Sequence, residues 1–297
     1  MKENIHFKKM SSIADAVMHT DYLLKDSDRI SIRERACQCE VMRSGIDSLD
    51  DILGSFEPGH FYLIGGRPGI GKTTLLLQVA TNIALTTNKP IYIITLEMLE
   101  KHIVHWMISQ IADIEQRVVK SGNLSEKQRQ QMINCWAEID TMSVRICETV
   151  VTMDEIKWFV KEQIKDGILL IDYFQLIYGS ISDRKIPPKV RMKEIARELS
   201  CLAKENNIPV VVSSQLPRSI ELRADKRPVL QDFEIIGEID QYADGVIFVY
   251  RDAYYMKDAG DEAEITIAKN PLGPVGTANV RFNKERLLFE DKGQLHH

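Results

Sequence analysis

Apolar residues along this chain fall into two patterns: short continuous runs, and longer stretches in which they recur at helical spacing. A continuous run bounded by glycine, proline or polar residues predicts a buried strand. Strands are expected at residues 61–65, 90–95, 168–172, 209–213, 245–250, 264–268 and 278–282. Helices are expected at residues 73–85, 99–112, 125–139, 153–165 and 191–206. This alternation of strands and helices predicts an α/β protein.

The composition of the strands indicates how they pair. The first four are apolar almost throughout, which is typical of parallel strands that are covered on both faces. The last two are separated by glycine and proline, which predicts an antiparallel hairpin. We therefore expect a mostly parallel, doubly wound sheet with helices on both faces and a ligand site at the carboxyl ends of its strands.

The first part of the chain follows a different pattern. Ile13, Val17 and Leu24 roughly keep helical spacing, and a charged stretch follows them. This predicts a short helical linker over residues 1–44, ahead of a single large domain at 45–297. Two interpretations of the helix remain open, because periodicity cannot choose its partner: it packs on its own core, or it docks on a neighbouring subunit.

Composition and charge narrow the class of protein. The net charge of −5 argues against a protein that binds nucleic acid over its whole surface, although a basic channel on one face stays compatible with it. No apolar run is long enough to span a bilayer and no signal-peptide pattern opens the chain, so we expect a cytoplasmic protein without membrane contact. The cysteines are few and scattered, which predicts neither a disulfide framework nor a zinc site.

The most informative motif joins the first strand to the first helix. It consists of Gly66, Arg67, Pro68, Gly69, Ile70, Gly71, Lys72, Thr73 and Thr74, and its spacing fits a P-loop. Backbone amides of such a loop turn toward a polyphosphate, and the following helix adds its positive end. Lys72 is expected to reach the β- and γ-phosphates of ATP, and the Thr73 hydroxyl to ligate Mg²⁺. A chance match in an ordinary glycine turn is the alternative, which the flanking strand and helix argue against.

Three later strands end in polar side chains. Asp172 ends a buried strand and, after a P-loop, is expected to orient Mg²⁺. Glu97 follows a second strand; activation of the attacking water is favoured there over a helix-terminal acid that interacts with the helix dipole. Gln215 ends a third strand, where contact with the γ-phosphate and a simple strand terminus are equally supported by the residues alone.

A cluster of cations surrounds the polar loop at residues 179–189. It comprises Arg184, Lys185, Lys189, Arg191 and Lys193. Contact with the phosphates of a nucleic acid is one interpretation. A solvated charged surface is the other, and it is the usual outcome for an isolated cluster.

Several strings, taken in order, resemble the DnaB-type replicative DNA helicases and in particular their C-terminal RecA-like ATPase, or motor, domain. They lie at residues 96–98, 171–177, 213–218, 226–232, 241–244, 250–252, 273–276 and 282–283, with Lys269 among them. The resemblance covers roughly residues 41–290. It implies a RecA-like P-loop NTPase core, assembled as a hexameric ring of identical subunits. Such a ring binds ATP and Mg²⁺ between subunits and moves on single-stranded DNA, with a helicase loader or a primase as further partners.

The resemblance also implies roles for individual residues. Glu97 matches the catalytic base and Asp172 the metal-orienting acid, while Gln215 matches a γ-phosphate sensor. Lys269 matches a lysine that reaches the neighbouring subunit's site. The segment that follows the family's DNA-facing loop is matched by Arg191, Glu194 and Arg197.

The chain departs from the family pattern in three places. Only the linker precedes the motor, where the family has an amino-terminal domain. Pro271 occupies the position of the family's arginine finger, so that Lys269 alone, or a nearby cation such as Arg251 or Arg281, would supply the charge. Residues 234–237 read EIIG where the family has Arg-Glu-Ser-Gly.

Two functions remain open from the sequence. The first is an ATP-driven helicase or translocase on single-stranded DNA, favoured by the complete set of Glu97, Asp172 and Gln215. The second is a RecA-like ATP-binding regulator, or an oligomerising DNA-binding protein, with weak hydrolysis and no unwinding. Pro271 and the acidic net charge favour this second function.

Overall fold

The computed structural model describes residues 8–9, 41–149, 152–179, 186–256 and 258–293. The predicted linker helix around Ile13 and Val17 lies outside these ranges, as do Arg184 and Lys185. Met42 belongs to the part of the predicted linker that is described. It is buried, and its carbonyl accepts a hydrogen bond from the Phe56 amide.

Within the described residues, ten strands form one sheet. They are β1 (Lys8–Lys9), β2 (Phe61–Gly66), β3 (Ile91–Thr95), β4 (Val144–Cys147), β5 (Ile168–Asp172), β6 (Val210–Gln215), β7 (Gly245–Tyr250), β8 (Glu262–Lys269), β9 (Gly276–Asn283) and β10 (Leu288–Asp291). Their order across the sheet is β1-β4-β3-β5-β6-β2-β7-β8-β9-β10. The six central strands of this order, from β4 across to β7, pair in parallel. The flanking strands β1, β8, β9 and β10 pair antiparallel with their neighbours.

Helices cover both faces of the sheet. They are α1 (Asp47–Leu53), α2 (Lys72–Thr86), α3 (Glu100–Ile111), α4 (Gln116–Ser121), α5 (Glu126–Thr141), α6 (Met153–Gln163), α7 (Pro188–Asn206) and α8 (Asp252–Tyr255). One apolar core includes residues of α2, α3 and α5, and a second, on the opposite face, includes residues of α6 and α7. The predicted mostly parallel, doubly wound sheet with helices on both faces is confirmed. No helix of the described ranges is long and apolar enough to cross a bilayer.

The strands and helices predicted between residues 61 and 282 are all present. Strand ends shift by at most two residues and helix ends by at most three. Ser125 and Gln128 form the reciprocal capping box that starts α5, and β8 and β9 form the predicted antiparallel hairpin. Strands β4 and β10, and the short helices α1, α4 and α8, are additions that the apolar pattern did not indicate.

The register of the parallel strands brings their carboxyl ends together. Gly66 at the end of β2 lies opposite Gln215 at the end of β6, and Thr95 at the end of β3 lies opposite Asp172 at the end of β5. Strand β8 runs the other way, so that its last residue, Lys269, lies beside Val246 near the start of β7. The predicted site residues at the ends of β2, β3, β5 and β6 therefore lie together at the carboxyl ends of the parallel strands. Lys269 lies toward the amino ends of these strands.

Candidate nucleotide-binding site

The loop from Gly66 to Gly71 joins β2 to α2 and opens toward solvent at the carboxyl edge of the sheet. Gly69 and Gly71 have positive φ angles of 73° and 118°. A Cβ at Gly71 would lie 2.7 Å from the Phe289 ring, so that position requires glycine. No side chain of the described residues caps the start of α2. Its first backbone N–H groups, together with the helix dipole, therefore favour an anion at this point.

The Lys72 side chain is buried at the start of α2. Its Nζ donates a hydrogen bond to the carbonyl oxygen of Arg67 at 2.9 Å. Burial lowers the pKa of Lys72 to about 8, and the negative charges of Asp172 and Glu97 partly oppose this shift. The nearby carboxylates only partly compensate for the lost hydration of this ammonium, so a bound polyanion would stabilise its charged form.

Asp172 and Thr73 present oxygen atoms side by side. The Thr73 hydroxyl donates to Oδ2 of Asp172 at 2.8 Å, and the Ser213 hydroxyl donates to Oδ1. Burial raises the pKa of Asp172, against the effects of these hydrogen bonds and of Lys72. Hydroxyl and carboxylate oxygens suit Mg²⁺, which protein sites hold through one or two side chains, water and substrate phosphates. The residues therefore fit Mg²⁺, although the described residues contain no cluster of three acidic or imidazole ligands.

Glu97 lies on the exposed segment that follows β3. The amide of Leu96 donates to the Asp172 carbonyl at 2.7 Å, which ties this segment to the end of β5. The charge of Glu97 reaches both Lys72 and Tyr173, because it acts to raise the pKa of each. Helix α3 begins at Glu100, three residues after Glu97, so the preference for a water-activating carboxylate over a helix-terminal acid stays a prediction.

Gln215 is the half-buried last residue of β6. Its side chain hydrogen-bonds to Tyr173, and its backbone is held by the side-chain amide of Gln175. The structure thus brings Lys72, Thr73, Asp172 and Gln215 to one edge, with Glu97 beside them. Gln175 was not predicted; its position in the string that resembles the helicases was the only signal for it.

Two arginines lie at the phosphate loop: Arg67 belongs to it, and Arg251 contacts it from the end of β7. The Arg67 guanidinium is buried and donates to the Leu216 carbonyl at 2.6 Å and to Glu221 at 2.9 Å. The side chain of Arg67 therefore points into its own subunit, and its carbonyl is what faces Lys72. Arg251, which the sequence offers only as a substitute finger, donates to the Gly69 carbonyl at 2.9 Å and lies over the Phe282 ring.

Lys269 is not brought to the phosphate loop of its own chain. Its ammonium donates to the carbonyl oxygens of Asp240 and Ala243. Val246, its partner on β7, lies opposite Leu63, three residues before Gly66 on β2, so Lys269 lies about 10 Å along the strand direction from that loop. This placement is compatible with a role in a neighbouring subunit's site and excludes one in its own.

The turn between β8 and β9 carries Pro271. Asn270 anchors this turn to the carbonyl of Ile52, at 2.9 Å. Leu272 and Val275 are largely exposed at its tip. The other suggested substitute for the finger, Arg281, is paired with Asp261.

The cations expected to contact DNA that lie within the described residues are on α7. Lys189 is exposed in its first turn, and Arg191 is half-buried with an Nε that has no hydrogen-bond partner in the described part of the chain. Lys193 pairs with Glu238 at 2.9 Å. Arg197 pairs with Glu194 one turn further along. Of these four cations, Lys189 and Arg191 are therefore the two that form no salt bridge within the described residues.

Fold and site together define a P-loop NTPase in which side-chain oxygens and polar strand ends surround the phosphate loop. Comparison with known proteins identifies the family: the model of the DnaB-like helicase C terminal domain matches residues 41–291. The chain therefore belongs to the family of DnaB-like helicase C-terminal domains, and the predicted resemblance is confirmed.

Curated relatives agree with this assignment. The chain is 34% identical over 276 residues to the replicative DNA helicase DnaC of Bacillus subtilis (strain 168), covering 91% of this chain and 61% of that protein. The same identity, length and coverage hold for the replicative DNA helicase DnaB of Geobacillus stearothermophilus. The chain thus spans about three fifths of the length of these relatives.

Solved structures confirm the RecA-like fold. A DnaB-like replicative helicase, described with its interactions with primase, superposes with a TM-score of 0.79 at 27% identity, covering 91% of this chain and 67% of that one. A solved ATPase domain gives a TM-score of 0.79 at 28% identity, covering 89% of this chain and 96% of that one. The RadB recombinase shares the fold alone, with a TM-score of 0.52 at 14% identity over 84% of this chain and 99% of that one.

Proposed function

We propose that this protein is an ATP-dependent DNA helicase or translocase of the replicative ring type. The observation that carries the proposal is the convergence of Lys72, Thr73, Glu97, Asp172 and Gln215 at one edge of the sheet. A protein that only binds ATP needs the first two of these residues and has no use for a water-activating carboxylate. Family membership supports the same choice, so the regulator with weak hydrolysis is the less supported alternative.

Each residue then has a distinct chemical task. Lys72 and the loop amides bind the β- and γ-phosphates of ATP, and Thr73 with Asp172 would hold Mg²⁺. When bound, Mg²⁺ neutralises charge on the phosphates. Glu97 accepts the proton of the attacking water, and Gln215 contacts the γ-phosphate and responds to its loss.

The partners follow from this function. A hexameric ring of identical subunits would place a nucleotide between neighbours and single-stranded DNA in the central channel. A helicase loader and a primase are expected partners; one of the similar structures is described in terms of its interactions with primase. We expect a motor of this replicative type to act in the cytoplasm.

Measurement of ATP turnover with and without single-stranded DNA, alongside strand displacement on a forked duplex, tests the proposal. We expect Mg²⁺-dependent turnover that rises severalfold with single-stranded DNA, and displacement that requires ATP. Turnover that DNA leaves unchanged, with no displacement, would support the regulator instead.

The position of Lys269 predicts a site shared between subunits. Because lysine is a point charge and cannot make the bidentate contact of an arginine finger, basal turnover should be slow for this family. Lys269→Ala should lower turnover further while ATP binding within one subunit stays the same. The matched control is Lys292→Ala, which removes an exposed lysine that pairs with Glu262.

Mixed oligomers sharpen this test. Lys269→Ala subunits retain an intact phosphate loop, and Lys72→Ala subunits retain Lys269, so a mixture should recover part of the missing turnover. Mass measurement must first show that mixed oligomers form. If they form and no activity returns, the site is not shared in this way.

The cations at the start of α7 predict how DNA binding depends on salt. Neutralising Lys185, Lys189 and Arg191 together should weaken binding of single-stranded DNA. It should also reduce the slope of log K against log[salt] by about 0.7 for each phosphate that the protein no longer neutralises. The control is Lys204→Ala, exposed on the same helix about 22 Å further along. A slope that stays the same in the triple variant would place the DNA elsewhere on the protein.

A further inference from the structure

The side chain of Gln175 holds the end of β6 by both of its backbone groups. Gln175 belongs to the single 3₁₀ turn Phe174–Leu176, which follows β5 almost directly. Its Oε1 accepts from the amide of Gln215 at 3.2 Å, and its Nε2 donates to the carbonyl of Gln215 at 2.9 Å. The same Nε2 also donates to the Ser214 hydroxyl at 3.0 Å. Both N–H groups and the oxygen of this amide are therefore in use.

This contact lies where the sheet itself no longer supports β6. The backbone pairing between β5 and β6 ends at Ile171 and Val212. Beyond that point Asp172 accepts from the Ser213 hydroxyl, and Gln175 bonds the Ser214 hydroxyl and takes the place of a paired strand at the backbone of Gln215. On its other side, Gln215 lies opposite Gly66. The backbone of Gln215 is thus fixed between the phosphate-loop strand and one side-chain amide.

Gln175 and the first turn of α7, the helix that carries Lys189 and Arg191, line one cavity. A cavity of about 340 Å³ is lined by Gln175, Gln215, Pro188, Lys189 and Met192, among other residues. Pro188 and Lys189 form the first turn of α7. A displacement of this turn, such as DNA contact at Lys189 would cause, changes the cavity that Gln175 and Gln215 both line.

We propose that Gln175 is a positioning residue that couples DNA contact at the start of α7 to the γ-phosphate side of the nucleotide site through the backbone of Gln215. The inference rests on the proposed function, because it needs a DNA-stimulated ATPase to couple. It requires an amide in particular, since only a group with both a donor and an acceptor satisfies the N–H and the C=O of Gln215 together. Coupling of this kind is a free energy between two sites, so it is measured as a ratio and not as activity alone.

Gln175→Glu tests the coupling with almost no change of shape. The carboxylate cannot donate, and it would face the carbonyl of Gln215 with a second acceptor. We expect the affinities for nucleotide and for single-stranded DNA to stay within about threefold of wild type, and basal turnover to fall by much less than the stimulation does. The factor by which DNA stimulates turnover should fall about tenfold or more. Gln175→Met, which is similar in size and uncharged, should lose the stimulation in the same way if the glutamate variant folds poorly.

The chain contains a matched control in Gln78. Its amide also pairs with both backbone groups of one residue, donating to the Phe289 carbonyl at 2.8 Å and accepting from the Phe289 amide at 2.9 Å. Gln78→Glu should therefore lower thermal stability because it removes the same kind of hydrogen bond, while the ratio of stimulated to basal turnover is kept.

The outcomes separate the coupling from the proposed function. A wild-type ATPase that DNA stimulates, with equal stimulation of Gln175→Glu and Gln175→Met, would overturn the coupling alone. A loss of basal turnover or nucleotide affinity as large as the loss of stimulation would also overturn it, since Gln175 would then support the site only structurally. A wild-type protein that DNA does not stimulate would overturn both the coupling and the proposed function.

Discussion

Replacing Glu97 with glutamine is expected to reduce ATP turnover about a hundredfold or more while ATP binding stays nearly the same. Glutamine keeps the size and hydrogen-bonding capacity of the side chain but cannot accept the proton of the attacking water. The exposed position of Glu97 means that little packing depends on its charge. Turnover number and nucleotide affinity, measured separately on the same preparation, check the prediction.

Glu100→Gln is the control for this substitution. Glu100 lies only three residues further along, in the first turn of α3, where an acid interacts favourably with the helix dipole. Its replacement should change turnover by no more than a few-fold. Loss of binding and turnover in equal measure in Glu97→Gln would assign Glu97 a structural role.

Buried strands were predictable because they carry a strong local signal. Strands β2, β3, β5, β6 and β7 are buried along almost their whole length, so their apolar runs stand out in the sequence. Strand β4 has only four residues, and its Arg145 is exposed and lies over the Tyr92 ring. Strand β10 mixes two apolar residues with two acidic ones, and the carboxylate of Asp291 accepts from the first amides of α1. Such strands, β10 at an edge of the described sheet and β4 next to the short β1, form through contacts that no local pattern contains.

The site residues also differ in how far a local sequence pattern predicts their position. Residues at the ends of buried strands, such as Asp172 and Gln215, could be expected to meet because parallel strands align their carboxyl ends. The inward course of the Arg67 side chain depends on Glu221, 154 residues away, and the contact of Arg251 with Gly69 spans 182 residues. The sequence offers no means of pairing these groups until the fold places them together.

Replacing Lys72 with alanine is expected to abolish tight ATP binding. No other ammonium or guanidinium of the described residues lies free at the phosphate loop, since Arg67 is paired with Glu221 and Arg251 is stacked on Phe282. The matched control is Lys89→Ala, which removes a half-buried lysine that pairs with Asp166 and should leave ATP binding intact. Wild-type binding by the Lys72→Ala protein would show that the P-loop assignment is wrong.

The pKa of Lys72 adds a dependence on pH to this prediction. Because burial lowers that pKa to about 8, the side chain loses its proton as the pH rises through 8 in the nucleotide-free protein. Only the ammonium form pairs with the phosphates, so binding of ATP above this pH must take up a proton. The affinity for ATP should therefore weaken above pH 8, by up to about tenfold per pH unit.

Calorimetric titration with ATP in two buffers of different ionisation enthalpy, from pH 7 to 9.5, measures this proton uptake directly. Uptake should be small at pH 7 and should approach one proton per ATP above pH 9, and the Lys89→Ala protein should show the same curve. Constant affinity without proton uptake across the range would mean that the charge of Lys72 is not what holds the phosphates. In that case the backbone amides of the loop and the start of α2 would carry the binding energy.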